Sequence, residues 1–374
     1  MAEIYLALEE MPHAGRRFVT IKRIRSEFAR DPDYVEFFLT EGRISLKCAH
    51  PNLPQVFELG QVDGSFYLAM EYIRGHTLLD LLRASLRAQQ LPSLNAMLLI
   101  ALQVAAALEH VHGLRDVDGA PLEVIHRDVT PQNIMITADG SVKLIDFGIV
   151  RSTVQTHKTQ TGIVKGKFAY MAPEQLNGRR DMNQRADLFA LGIVMWETLA
   201  VRPLFRRRVD FDTIEAVRAC EVPEITGLRS DIPDAVFEVV RVALRRKPEK
   251  RYQSATDMLT AIESVARSCG LMPSRTDLRK EMDALCGTPD LPQIPSDGEF
   301  GESPSSRFAV GSEADAETPA PEVEPPAIHT LPRPSPKSGI LRDPLLLYFL
   351  RKAGVRFADA PARAPSSNAK AAGE

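Results

Sequence analysis

The chain has 374 residues, 44% of them hydrophobic and 25% charged, with a formal net charge of -3. That balance allows a sizeable buried core and excludes the positive excess by which a whole protein attracts nucleic acid or an anionic membrane. Four cysteines, Cys48, Cys220, Cys269 and Cys286, form no CxxC pair, which excludes a zinc ribbon or dense disulfide framework and fits a reducing, cytoplasmic setting.

In chain order, the first 70 residues hold short runs of strand character at Ile4–Leu8, Phe18–Ile21, Val56–Leu59 and Phe66–Met70. Their period-2 alternation and β-branched or aromatic content predict strands. One helical stretch, Pro32 to Leu46, interrupts them. From Thr77 the pattern turns helical. Leu98, Leu102, Ala105, Leu108 and Val111 share one face of a helix over Leu94–His112, and Asp187–Leu199 is apolar almost all round, as a buried helix is. The expected fold is α+β and bilobal: a small antiparallel β lobe over 1–72 and a larger helical lobe over 73–268, with the cleft between them as ligand site. A short helical extension over 269–287 follows. The apolar runs at 193–200 and 345–350 are too short for a bilayer, which takes ~18–20 residues, so no membrane span is expected. The first residues lack the basic and apolar regions of a signal peptide.

Over 288–374 the composition shifts to proline with Ser, Gly, Asp and Glu, and predicts a disordered tail. An apolar island at 340–357 interrupts it. The island reads either as a docking segment for a partner or the domain itself, or as a sticky stretch in a disordered tail.

The centre of the chain reads His126-Arg127-Asp128-Val129-Thr130-Pro131-Gln132-Asn133, then Asp146-Phe147-Gly148, then Ala172-Pro173-Glu174. Each triplet alone is weak; all three in this order and spacing are strong. The set resembles the signature of protein kinases, H-R-D-x-x-x-x-N, D-F-G and A-P-E. Tyr170-Met171-Ala172-Pro173-Glu174-Gln175 and Pro131 are similar to the bacterial, eukaryotic-like serine/threonine kinases. The resemblance covers residues 1 to about 265 and none of the tail.

The resemblance implies phosphoryl transfer from ATP to Ser/Thr hydroxyls of protein substrates, with no nucleic-acid partner. Asp128 would take the hydroxyl proton, and Asn133 and Asp146 offer the hard oxygen ligands that Mg²⁺, or Mn²⁺ in its place, prefers. Lys22, in Val19-Thr20-Ile21-Lys22, would grip the α- and β-phosphates, with Glu41 as its carboxylate partner and Glu36 as runner-up. Thr20 stands where alanine is usual. Met70, as gatekeeper, with Glu71 and Ile73 resembles the adenine hinge, and Met135 belongs with the nucleotide site. Asp187 resembles the anchor of the catalytic loop, Arg251 the partner of Glu174, and Arg127 part of a cationic pocket for a phosphorylated loop. Thr159 and Thr161 resemble the Thr-x-Thr of activation segments, implying autophosphorylation.

Two departures stand together. Thr130 occupies the usual lysine position of the catalytic loop, and Lys167 the usual threonine position before the A-P-E turn. Lys167 is expected to supply the ammonium that Thr130 cannot. At the front, Ala2 and Ile4 match only the end of the glycine-rich loop, at its third glycine and its valine. The first strand and two glycines are absent, leaving the next strand as an exposed edge. Either the true start lies upstream or the chain is a truncated kinase. Two functions follow: an active serine/threonine kinase, or a pseudokinase-like binding module signalling through its tail.

Overall fold

The structure, a computed structural model, describes residues 2–11, 15–62, 64–148, 167–176, 183–225, 229–292 and 328–330. Strands β1 (Ala2–Met11) and β2 (Gly15–Ile24) pair antiparallel along their whole length, from Ala2 opposite Ile24 to Met11 opposite Gly15. Alternation puts Val19 and Ile21 on one face of β2 and Lys22 and Ile24 on the other, all four buried. Between β2 and the next strands comes helix α1 (Pro32–Lys47), started by the Asp31 side chain, which accepts from the Asp33 N–H, and by Pro32 in the first turn. Its buried residues, Phe38, Glu41, Gly42 and Ser45, form a stripe at helical spacing. Phe38 meets Ile24 and Leu68 in the core of the small lobe.

Strands β3 (Val56–Val62) and β4 (Ser65–Glu71) complete the sheet, β4 lying between β3 and β2. The outer edge of β1, expected to be exposed, is covered along Ala7–Glu9 by β8 (Ile328–Thr330), antiparallel, with Ala7 opposite Thr330. That strand comes from the stretch read as disordered tail. The apolar island at 340–357 lies outside the described residues.

The second lobe starts with a small sheet, β5 (Gly75–Thr77), β6 (Ile134–Thr137) and β7 (Val142–Leu144), in that order. Helices α2 (Leu78–Ala88) and α3 (Leu94–His112) follow β5 in the chain. A short turn α4 (Pro173–Leu176) precedes α5 (Arg185–Ala200), buried at every position from Ala186 to Leu199. Around it lie α6 (Asp210–Ala219), α7 (Asp234–Ala243) and α8 (Ala255–Ser268). Gly192 permits the approach of α7: a Cβ there would stand 2.8 Å from that of Ala243. One continuous apolar core runs through these helices.

The chain does contain a helix long and apolar enough to cross a bilayer, which the sequence reading passed over. It is α3, and most of it is buried in this core. Helix α9 (Arg275–Cys286) buries Leu278 and Met282 in the same core. Just beyond it, the Pro289 carbonyl accepts two hydrogen bonds from the Arg74 guanidinium, at 2.9 and 2.6 Å, so this extension is tied to the segment joining the lobes.

Candidate active site

The loop 126–133 is held from beneath by one carboxylate. Asp187, in the first turn of α5, accepts from the backbone N–H of His126 and of Arg127 and meets His112 Nε2, each at 2.8 Å. Burial alone would push the Asp187 carboxyl up, but the hydrogen bond and charge of His112 and the loop N–H bond outweigh it and hold it below the usual carboxylate range. Arg127 takes a left-handed backbone, with φ 67°, which turns the chain so that Asp128 follows at the cleft. Within the loop, Asn133 Nδ2 donates to the Asp128 carbonyl at 2.9 Å and its backbone N–H to the Thr130 carbonyl.

The Asp146-Phe147-Gly148 turn lies against that loop. Gly148 N–H donates to the His126 carbonyl at 2.8 Å, and the Phe147 ring lies 4.9 Å from the His126 ring. The approach is so close that a Cβ on Gly148 would stand 2.8 Å from Asp128 Cβ, so only glycine fits. Asp146 is also left-handed, with φ 56°.

From the small lobe, Lys22 reaches down to this turn. Its Nζ lies 2.6 Å from Glu41 Oε1 and 2.9 Å from Asp146 Oδ1. Burial opposes its charge, but the two carboxylates prevail and raise the ammonium above its ordinary range. Glu41 is the partner because it shares the buried stripe of α1. Glu36 sits on the exposed side and pairs with Arg43 at 3.1 Å. Ile4 stands opposite Lys22 in the β1–β2 register, and Ala2 opposite Ile24. Thr20 stands opposite Met70, one residue before Glu71, whose side chain is anchored by Lys143 at 2.9 Å. Ile73 follows in the link to β5, and Met135 lies on β6 opposite Thr77.

Lys167 opens a single 3-10 turn, Lys167–Tyr170, and its Nζ lies 3.0 Å from both Oδ1 and Oδ2 of Asp128. Glu174 and Arg251 meet through two hydrogen bonds of 2.7 and 2.8 Å. Thr159 and Thr161 lie outside the described residues.

Sequence reasoning missed three supports of this site. His112 holds Asp187 from 75 residues away. Asn52 Nδ2 ties the lobes by donating to Gln103 Oε1 and the Val142 carbonyl, both at 2.8 Å. Tyr170 OH donates to Glu197 Oε2 at 2.7 Å and fixes the turn that carries Lys167. No spacing rule points to any of these pairs.

A divalent ion has two oxygen donors here. Among the described residues, Asp146 Oδ2 and Asn133 Oδ1 make no hydrogen bond. No group of three or more His, Cys, Asp or Glu side chains is arranged for a metal among those residues. A carboxylate and an amide oxygen, with phosphate and water oxygens for the rest, fit Mg²⁺, which rarely takes an all-protein cage.

The protein kinase domain family matches residues 3–261. The chain is 38% identical over 265 residues to tyrosine-protein kinase MasK of Myxococcus xanthus, covering 71% of this chain and 41% of that one. It is 32% identical over 296 residues to serine/threonine-protein kinase PknH of Mycobacterium tuberculosis, covering 79% and 45%. Its identity to serine/threonine-protein kinase PrkC of Bacillus subtilis is 29% over 295 residues, covering 77% and 42%. The chain thus spans less than half the length of these relatives. Among solved structures, the kinase domain of Mycobacterium tuberculosis PknI is similar with a TM-score of 0.51 at 25% identity, over 71% of this chain and 91% of that one.

Proposed function

The chain belongs to the protein kinase family, with bacterial serine/threonine kinases among its relatives, and we propose that it transfers the γ-phosphate of ATP to serine or threonine hydroxyls of protein substrates. One observation carries this reading: Lys22 meets Glu41 and Asp146 at 2.6 and 2.9 Å, Lys167 meets Asp128 at 3.0 Å, and the Asp146 turn is bonded to the Asp128 loop through Gly148 N–H and the His126 carbonyl. Such an array matches what phosphoryl transfer needs, namely positioning and charge stabilisation.

In the proposed reaction the substrate hydroxyl oxygen bonds to the γ-phosphorus. The bond from that phosphorus to the ADP oxygen breaks, and the hydroxyl proton passes to Asp128. Lys22, kept extended by Glu41, contacts the non-reacting phosphates. The backbone of Met70–Ile73 takes the adenine, with Ile4 and Met135 on either side of it. Asn133 and Asp146 would hold Mg²⁺ or Mn²⁺, which when bound neutralises charge on the phosphates. Thr159 and Thr161 are proposed autophosphorylation sites. The retained Lys22, Asp128, Asn133 and Asp146 speak against a binding module without catalysis. The relative named as a tyrosine kinase motivates a second reading, transfer to tyrosine; Pro131 in the catalytic loop favours serine and threonine.

The test is the intact mass of this chain before and after incubation with Mg-ATP, beside Asp128→Asn. Stepwise gains of one phosphate in the wild type alone, on Ser or Thr when mapped, support the proposal. Phosphotyrosine alone would shift it to the second reading. No gain in either chain would overturn it and leave the binding module.

A further inference from the structure

We propose that Lys167 is the cation of the phosphoryl-transfer centre beside Asp128, so that the centre is completed by the segment leading into Ala172-Pro173-Glu174 and not by the catalytic loop alone. This rests on the protein kinase reading of the cleft.

Three observations carry it. The Lys167 ammonium straddles the Asp128 carboxylate, 3.0 Å from each oxygen. A lysine that merely tethered a surface segment would have no need to meet both oxygens of the candidate base. Its side chain is 21% exposed against 9% for Asp128, so the pair is shielded yet open on one side. The loop itself supplies no ammonium two residues after Asp128, where Thr130 is buried and uncharged. Lys22, which also reaches the Asp146 turn, is held by Glu41 and Asp146.

The anchoring of Lys167 is stiff. The turn Lys167–Tyr170 is pinned at its end by the Tyr170–Glu197 hydrogen bond, and Ala169 is fully buried. Ala172 N–H donates to Gln175 Oε1 at 2.7 Å just beyond. A preorganised charge of this kind stabilises a transition state without reorganisation.

In the transfer, the hydroxyl oxygen–phosphorus bond forms, the phosphorus–ADP oxygen bond breaks with its electron pair leaving on ADP, and Asp128 receives the proton. Lys167 gives up no proton and acts by charge, where hydroxyl, carboxylate and the equatorial phosphoryl oxygens meet. Because this charge rides on the segment and not on the loop, any displacement of 167–170 removes it. Segment position and chemistry are coupled in one residue.

The experiment moves the cation. The wild-type chain, Lys167→Ala, Lys167→Arg, Lys165→Ala and the double variant Thr130→Lys with Lys167→Ala are compared with Mg-ATP and casein as acceptor. ATP affinity and melting temperature are measured alongside. Lys167→Ala is expected to lower kcat by ~10²-fold or more, with ATP affinity within about twofold, and Lys165→Ala to stay within about twofold of wild type. The double variant is expected to recover about a tenth of wild-type kcat or more, because the charge returns from the loop. Where alanine unfolds the protein, Lys167→Met, which keeps the stem and removes the charge, takes its place. Equal rates for Lys167→Ala and Lys165→Ala, or a folded double variant with no recovery, would overturn the inference while leaving the kinase reading intact. An inactive wild type would overturn both.

Discussion

Arg251 and Glu174 lie 77 residues apart and meet as a fork on a fork: Nη1 to Oε1 at 2.7 Å and Nη2 to Oε2 at 2.8 Å. The arginine side chain is wholly buried. Its other donors reach the carbonyls of Arg245 and Arg246, and its guanidinium lies 4.5 Å from the centre of the Phe189 ring. One residue thus joins α4, α5 and the turn before α8. A planar fork is needed, since an ammonium cannot make both parallel bonds.

Removing one partner leaves a buried charge uncompensated. Arg251→Ala or Glu174→Ala should therefore cost about 3–5 kcal/mol, and Arg251→Lys should recover only part of that. Denaturant unfolding of the three variants checks this. A loss below about 1 kcal/mol for either alanine would place the pair among surface ion pairs.

Lys22 and Glu41 allow stability and activity to be separated. Lys22→Met takes the ammonium 2.6 Å away from the buried Glu41 carboxylate and should destabilise the small lobe. Lys22→Met combined with Glu41→Gln should restore part of that stability, since the carboxylate that lost its ammonium is then neutral as well. Phosphate transfer should stay at least ~10²-fold down in both. Melting curves beside a transfer assay read the two effects. Restored activity in the double variant would show that Lys22 serves the fold and not the phosphates.

How much of this was legible depended on whether a signal is local. The strand of Ile4–Leu8 and the buried stripe of α1 follow from period-2 and helical spacing, and that stripe alone distinguishes Glu41 from Glu36. The loop from His126 to Asn133 and the Asp146 turn are short runs of linear sequence, so their motifs are readable and their chemistry follows from the family resemblance those motifs carry. His112, Gln103 and Tyr170 are not, because their partners are chosen by how helices pack. Nothing at position 112 announces a carboxylate at 187. The contact of Arg74 with Pro289 is of the same kind, joining a helical extension to a strand edge across most of the chain. Leu94–His112 is the helix that its spacing predicts, although its length and apolar content also match those of a membrane span. A helix buried in a large core has the composition of a membrane span, and only its surroundings distinguish the two.

Asp187 should be less tolerant than its single negative charge suggests. Three donors converge on its two oxygens, from His126, Arg127 and His112. Asparagine offers one acceptor oxygen and faces the remaining donors with an N–H₂ group, so at least one buried donor loses its partner. Asp187→Asn is expected to cost about 2–4 kcal/mol and to abolish transfer by releasing the loop that carries Asp128. His112→Ala removes one donor only and should be milder on both counts. Unfolding and transfer assays on the two variants decide it, and equal losses would mean that the backbone bonds contribute little.

Glu197 makes stability depend on pH with a definite sign. Burial pushes its carboxyl up to about 6 from an ordinary 4.5, against the opposing hydrogen bonds from Tyr170 OH and Leu204 N–H. The folded state therefore holds the proton to higher pH than the unfolded chain does. Between about pH 4.5 and 6 the folded form binds more proton, so this group's contribution falls as pH rises and levels off above 6. The change amounts to about 2 kcal/mol. Glu197→Gln stays neutral throughout and keeps one acceptor oxygen. Its stability relative to wild type should rise across that window and then run parallel. Denaturant midpoints of both proteins from pH 4 to 8 test this. A difference independent of pH would mean that Glu197 keeps its ordinary carboxylate behaviour, its charge fully compensated by Leu204 N–H and by Tyr170 OH, which also fixes the turn bearing Lys167.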